Sequence, residues 1–524
     1  MNNSPLTKKN AMDKLKRFVF DNKVILLFVL LSVACILISG ANISYVAGEV
    51  FSRFGRNTCL VLALIIPCMA GLGMNFGIVV GAIAAQISIF WVVHWGFTGI
   101  GGFMLCVAMS TPLALFFGWL LGKLFNKTKG AEMIAGLVLG FFAAGLYRLF
   151  VLYIIGGVIP FDDPNLLDRG FGLRNAFDLT GNLKYAVDDI SFLNTAIVLG
   201  IVFLIATATL ALHDKKMGNT IDKKKVTIKL ASCAAVIVFG FVGKFIPVVS
   251  DMLGKNRVIL ADAVLLGGAG VLVYAVVMYA MKRPVKGSAA FSKLLKLAAI
   301  AAALLISNMV PGINKVYRSV RLPAMTFAVI CFFAFFNTWI VNTRLGQNMR
   351  TVGQKRSVAI SAGIDVNKTR IIATCISTVL AAWGQLIFLQ NLGTVNTVQQ
   401  QDNVGLYAVA AILVGGANVQ KATNKQAIIG VILFHTLFVV APLAATELVG
   451  DSAISEYIRM FFSYGVIAVS LAMHAWKSTE KRKPDAEGMS VQMVRPPKLQ
   501  FSRSANMFLK NPPVFLGKQG GFIH

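Results

Sequence analysis

Acidic residues are scarce in this chain: 22 Asp and Glu stand against 50 Lys and Arg in 524 residues. Charged residues of both signs make up only 14%, where soluble domains carry roughly 25%. A water-facing surface cannot be built from so few. No HExxH, GxSxG or GxxxxGK(S/T) occurs, which removes the signatures of zinc proteases, serine hydrolases and phosphate-loop ATPases. Seven cysteines (Cys35, Cys59, Cys68, Cys106, Cys233, Cys331 and Cys375) all lie in apolar runs with no metal-ligand spacing, so they read as small buried hydrophobes. The five histidines are scattered, and His94 and His435 are expected to be packed or hydrogen-bonded rather than reactive. Acids inside apolar runs are rarer still. Asp262 is the clearest, with Glu132 at the entrance to a run; Asp262 is expected to pair or to reach an interface.

What the chain has is apolar length. Apolar residues are 56% of it and the mean hydropathy is +0.72. Runs of about 18 apolar residues recur, and a bilayer core about 30 Å thick needs roughly 20 per helix. Lipid offers no partner to a backbone N–H or C=O, so each run must close its hydrogen bonds as a helix. The expected fold is an all-α, polytopic transmembrane helix bundle. Candidate segments are 24–44, 58–74, 77–95, 99–121, 133–156, 193–212, 228–247, 258–281, 294–312, 322–342, 370–391, 404–417, 426–447 and 455–475. Between 58 and 95 the stretch Gly71-Leu-Gly-Met-Asn-Phe-Gly77 interrupts two short apolar pieces. It reads as a tight turn or as a broken helix inside the bundle, which leaves twelve to fourteen crossings.

Lys and Arg concentrate in alternate loops. With the N-terminus inside, the loops 1–23, 122–130, 213–229, 282–296, 343–370, 418–425 and 476–524 hold 37 of the 50. The opposite loop 157–192 is acidic, and 392–403 has no Lys or Arg. This bias puts both termini on the cytoplasmic side. It also accounts for the net charge of +28 as topology signal and attraction to anionic inner-leaflet lipid, not as a nucleic-acid surface. The expected organisation is a basic N-terminus (1–23), a membrane domain (24–475), and a basic, Pro-containing, disordered cytoplasmic tail (476–524). A polar N-terminus ahead of the first run predicts a retained first span, Val24 to Tyr45, in the inner (plasma) membrane.

The inside loop 343–370 is far longer than the ~2–8 residues that join bundle helices. Ser357-Val-Ala-Ile-Ser-Ala362-Gly363 reads as a short helix stopped at the glycine, with Val358, Ala359 and Ala362 on one face. Small residues on an exposed short helix suit a socket in another protein.

Val352-Gly-Gln-Lys-Arg-Ser-Val-Ala-Ile-Ser-Ala-Gly-Ile-Asp-Val-Asn-Lys368 resembles the cytoplasmic loop of ABC-importer permease subunits for simple sugars, nucleosides and branched-chain amino acids. Leu380-Ala-Ala-Trp-Gly-Gln385 and Leu406-Tyr-Ala-Val-Ala-Ala-Ile-Leu-Val-Gly-Gly-Ala-Asn418 resemble later motifs of that family, in the same order. Gly73-Met-Asn75-Phe-Gly77-Ile-Val-Val-Gly81 resembles its substrate-side element, with Val79 where a glutamate is usual. The resemblance covers roughly 50–120 and 322–470; segments near 193–281 and the tail show no evident counterpart.

The resemblance implies a permease fold of the type II ABC importer kind and a loop that rests on an ATPase subunit. Ala359, Ala362, Gly363 and Ile364 would make that contact, with Arg350, Lys355, Arg356 and Lys368 fixing orientation. Implied partners are an ABC ATP-binding subunit, a second permease copy or paralogue, and an extracytoplasmic solute-binding protein. The chain itself would bind no cofactor, ATP and Mg residing on the partner. Polar residues in spans, Asn75, Gln86, Asn337, Gln385, Gln390 and Asn391, together with Gly77, are candidate path residues. A neutral amide lining favours a neutral polyhydroxyl solute over a strongly charged one; a sugar or nucleoside is expected before a branched-chain amino acid. Two other readings stand beside this one. An ion- or proton-coupled secondary transporter requires essential membrane acids such as Asp262. A membrane-embedded enzyme of envelope lipid metabolism requires a cluster of acid, His and Arg at one membrane face.

Overall fold

The computed structural model describes residues 22–469 except 129, 161–162, 164–165, 168–171, 217–222, 283–288, 419–420, 451–456, 462–463 and 466–467. The expected basic N-terminus and the tail, whose unit runs from Met473 to His524, lie outside the described residues, as does most of the segment 455–475.

The chain is all-α. Its first helix, α1 (Lys23–Ser39), ends where Gly40 turns left-handed, and Asn42 caps α2 (Ile43–Ala63) by accepting from the Ser44 N–H. The first apolar run therefore stops short of Tyr45, since a left-handed residue cannot continue a helix. There follow α3 (Ile65–Met69), a 3-10 turn (Phe76–Ile78), α4 (Val79–His94), α5 (Gly99–Lys127), α6 (Glu132–Leu149) and strand β1 (Ala176–Asp178). Next come α7 (Phe192–Lys216), α8 (Lys223–Val242), α9 (Pro247–Leu253), β2 (Arg257–Ile259), α10 (Leu260–Lys282), α11 (Ala289–Met309), α12 (Pro311–Ser319) and β3 (Arg321–Pro323). The last part holds α13 (Ala324–Asn342), α14 (Arg344–Gln354), α15 (Arg356–Ser361), α16 (Val366–Leu392), β4 (Thr394–Asn396), α17 (Asp402–Val414) and α18 (Asn424–Val449).

Among the described residues nine helices are long and apolar enough to cross a membrane, or up to eleven if α8–α9 and α11–α12, bent by 99° and 91°, each count as one. Pro247 and Pro311 open the second member of each bent pair; proline suits a first helical turn but cannot continue an existing one. The segment expected at 404–417 is α17, only 13 residues. At 1.5 Å per residue it spans about 20 Å, two thirds of a bilayer core, so it is a half-length element.

Helix α16 is the axis of the bundle, packed against α2, α4 and α5. Its small side chains allow this: Ala373, Thr374, Ser377, Thr378, Ala381 and Ala382 are all buried, and small residues let helices without a hydrophobic driving force approach closely. The second layer holds α18, against α1, α2 and α17, while α7–α8 and α10–α11 form paired hairpins at the periphery. Helix α6 exposes Ile134, Val138, Phe141, Phe142, Leu146 and Leu149. Such a continuous apolar face is untenable in water and ordinary against lipid.

The two ends of the bundle sort as the charge count requires. At one end Asn126 Nδ2 donates to the Asn367 carbonyl at 3.0 Å, and the 344–370 arm meets Gly71. At the other, Gly99 N–H donates to the Asn182 carbonyl, β1 pairs antiparallel with β4 (Ala176 opposite Asn396), and β2 with β3.

Candidate functional site

Helix α2 breaks at a predictable place. Pro67 has no N–H, so the Ala63 carbonyl four residues earlier loses its helical donor. Ser377 Oγ on α16 supplies one instead, at 2.8 Å. The neighbouring Leu62 carbonyl accepts from Asn337 Nδ2 on α13 at 2.9 Å. The chain then turns through Gly71 and Gly73, both at positive φ (71° and 74°). Asn75 Oδ1 accepts from the Gly77 N–H at 2.9 Å and starts the 3-10 turn that leads into α4. The Gly71–Gly77 stretch is thus a buried break between two helical stretches, Ile43–Met69 and Phe76–His94, each long and apolar enough to cross, with Leu72, Met74 and Asn75 buried.

The arm after α13 carries two helices rather than one. Thr343 Oγ1 caps α14 by accepting from the Gly346 N–H at 3.2 Å. At its far end, Gly353 lies directly on the break. A methyl group on Gly71 would come within 2.7 Å of the Gly353 Cα, and one on Gly353 within 3.0 Å of the Gly71 nitrogen. No Cβ fits at either position. Helix α15 ends as the sequence suggests, with Gly363 left-handed at φ 73°.

Within α15 the expected contact residues divide. Ala359, expected at the surface, is fully buried, because this six-residue helix packs against α16 through that side. Val358 and Ile360 are 51% and 66% exposed instead, and Ala362 and Gly363 are exposed as expected, with Ile364 half-buried. Lys355, Arg350 and Lys368 are exposed. Arg356, expected to orient a partner, bonds within the chain: its Nη2 donates to Glu132 Oε1. Arg370 Nη2 reaches the same oxygen at 2.5 Å, and Glu132 Oε2 accepts from the Gly130 N–H at 3.0 Å.

Two cavities, each about 700 Å³, flank the break. One is lined by Ile65 and Met69 before it, together with Asn337, Arg350, Gly353 and Asn424. The other is lined by Phe76 and Val79 after it, with Phe141, Arg148, Gln399 and Asp402. Arg148 donates to the Asp402 carboxylate and to the Val398 carbonyl.

The seven path residues do not form one cluster. Asn75, Gly77 and Asn337 are at the break. Gln86 on α4 and Gln385 on α16 are buried, and neither amide finds a hydrogen-bond partner among the described residues. Gln390 and Asn391 end α16 and join a network that the sequence did not disclose. Asp188, 1% exposed, accepts from Thr326 Oγ1 at 2.5 Å, Gln390 Nε2 at 3.2 Å and Asn391 Nδ2 at 3.0 Å. Asn391 Oδ1 in turn accepts from Arg56 Nε at 2.8 Å. Asp262 sits in the first turn of α10, where a negative charge is stabilised by the helix dipole. His435 is packed between Phe434 and Phe438. Among the described residues no group of three or more His, Cys, Asp or Glu could hold a metal ion.

The family model for the permease component of branched-chain amino acid transport systems matches residues 190–471. The chain belongs to that family. The match takes in the 193–281 segments, for which the motifs had shown no counterpart, and the arm, α16, α17 and α18. The permease is also 27% identical over 168 residues to the xylose transport system permease protein of Haemophilus influenzae, a stretch that is 32% of this chain and 41% of that relative. The chain thus matches less than half of that relative's length. No solved structure matches.

Proposed function

We propose that this chain is the membrane permease subunit of an ATP-driven importer in the inner membrane, carrying a small, neutral, polyhydroxyl solute of the simple-sugar or nucleoside kind. The observation that carries the reading is the Gly353–Gly71 contact. A helix on an exposed arm presses backbone to backbone on the break between two cavities, so force on the arm reaches the path directly. The arm presents Val358, Ile360 and Ala362 outward, an apolar surface with Lys355 beside it that suits a socket on an ATP-binding subunit. The unpaired amides of Gln86 and Gln385 support a polar, uncharged path, since buried amides without partners are costly and a hydroxyl-rich solute satisfies them. The xylose relative agrees with a sugar. A second permease copy and an extracytoplasmic solute-binding protein complete the assembly, with both termini of this chain in the cytoplasm. The chain is a transport subunit and not an enzyme, and ATP and Mg belong to the partner.

The two other readings fare less well. Asp262 lies in a peripheral hairpin, away from the break. The Glu132, Arg356 and Arg370 group is an acid–arginine cluster at one end, but its carboxylate is already bonded on both oxygens and Arg370 is 1% exposed, so it offers no open reacting group. Co-purification of the tagged chain tests the reading. Recovery of an ATP-binding subunit, with uptake lost on ATP depletion, is the expected result. Recovery without one, with uptake that survives depletion, rules the reading out.

A further inference from the structure

The arm is tied to the bundle at a second point, and that tie is ionic. Helix α15 is only six residues long, too short to hold its own geometry. Glu132 opens α6, and its Oε1 is shared between Arg356 on the arm and Arg370 at the root of α16, while Oε2 takes the Gly130 N–H. Glu132 is 8% and Arg370 1% exposed, so their pair is shielded from water and from salt; the Arg356 side chain, 36% exposed, closes the tie from the arm's side. Among the described residues Glu132 is the one acid ion-paired with these two guanidiniums.

The direction of α6 gives the tie a consequence. From Glu132 the helix runs sixteen positions to Arg148, about 24 Å at 1.5 Å per residue. Leu137, Gly140, Phe141 and Arg148 on it line the second cavity, and Arg148 bonds Asp402 at the start of α17. A continuous helix transmits displacement along its length far better than a loop does.

We propose that Glu132 is a positioning residue that fastens the arm to α6, so that movement of α15 is delivered to the Arg148–Asp402 wall of the second cavity. The Gly353–Gly71 contact acts on the break, and the Glu132 tie acts on the opposite wall at the same time. This rests on the permease reading above.

The test is uptake per ATP hydrolysed, measured in proteoliposomes holding the permease with its ATP-binding subunit. Glu132→Gln is expected to keep ATP hydrolysis within about twofold of the unaltered complex and to lower uptake per ATP at least tenfold. Arg356→Met, which leaves the Glu132–Arg370 pair in place, is expected to show the same loss. An inserted Glu132→Gln protein with unchanged uptake per ATP overturns the proposal. So does one in which uptake and hydrolysis fall together, since that marks a purely structural role. Should Glu132→Gln fail to insert, unchanged uptake per ATP in Arg356→Met overturns it equally. If the unaltered complex takes up solute without ATP, the permease reading itself fails, whatever Glu132 does.

Discussion

Gly71 and Gly353, 282 positions apart in sequence, meet with no room for a side chain on either, 2.7 Å separating the Gly353 Cα from where a Gly71 Cβ would stand. Substituting either with alanine must part the arm from the break. Gly71 carries a second penalty, because its φ of 71° costs a non-glycine residue about 1–2 kcal/mol. Gly353→Ala isolates the steric effect. The expected outcome is normal insertion and partner binding with uptake reduced at least tenfold, read by transport assay and co-purification together. Undiminished uptake shows that the contact transmits nothing.

Gly363 is a different kind of glycine. Nothing lies within 4 Å of a Cβ there, yet φ is +73°. Gly363→Phe adds bulk on the side proposed to face the ATP-binding subunit and about 1–2 kcal/mol of local strain. Membrane insertion is expected to survive while ATPase activity coupled to the solute falls. Unchanged coupling in that variant argues against docking through the end of α15.

Ser377 and Asn337 replace the backbone donors that the break in α2 removes. Truncating either to alanine leaves a buried carbonyl without its side-chain donor, at about 1–3 kcal/mol each. Thermal unfolding in detergent is expected to shift down for both. Because the Leu62 and Ala63 carbonyls are adjacent, the double variant is expected to lose a different amount from the two losses added. Strict additivity indicates that the two bonds act separately.

Asp188 gathers three donors at the far end of the bundle. Asp188→Asn turns a charge-assisted acceptor into a weaker one and sets its own N–H groups against them. Hydrogen bonds to a charged group contribute about 1.5–3 kcal/mol. Proteolysis of the 157–192 loop is expected to accelerate, with helical content unchanged by circular dichroism.

The turn after β1 carries a pH dependence. The Thr180 hydroxyl and N–H hold the Asp178 carboxylate below its usual pKa. A carboxylate depressed in the fold contributes stability above its unfolded pKa of about 3.9 and loses it as pH falls through the lower folded value. Loop protection from proteolysis is therefore expected to be flat between pH 7 and 5 and to weaken only below about pH 4. A change near pH 6 points to another group.

Much of this was legible beforehand. Apolar runs locate the helices, because lipid leaves a backbone no alternative, and basic loops sort the ends that the structure then brings together. Gly363 stops its helix as glycine in that position does. The burial of Ala359 and the pairing of Arg356 within the chain could not be read, because they depend on α16 and on Glu132 of α6, which the local pattern does not place. Asp188 was counted as one of several loop acids; its partners Thr326, Gln390 and Asn391 come from other segments, and nothing local marks them. Pro67 was a usable signal for an orphaned Ala63 carbonyl, though not for which hydroxyl would meet it.

Uptake by sealed proteoliposomes tests the central claim most directly. The permease and its ATP-binding subunit are reconstituted, ATP is supplied on the face carrying the arm, and labelled pentoses, hexoses and nucleosides are offered with a solute-binding protein on the other. Accumulation that requires ATP hydrolysis and selects one of these neutral solutes is the predicted result. Accumulation driven by a proton or sodium gradient without ATP contradicts it.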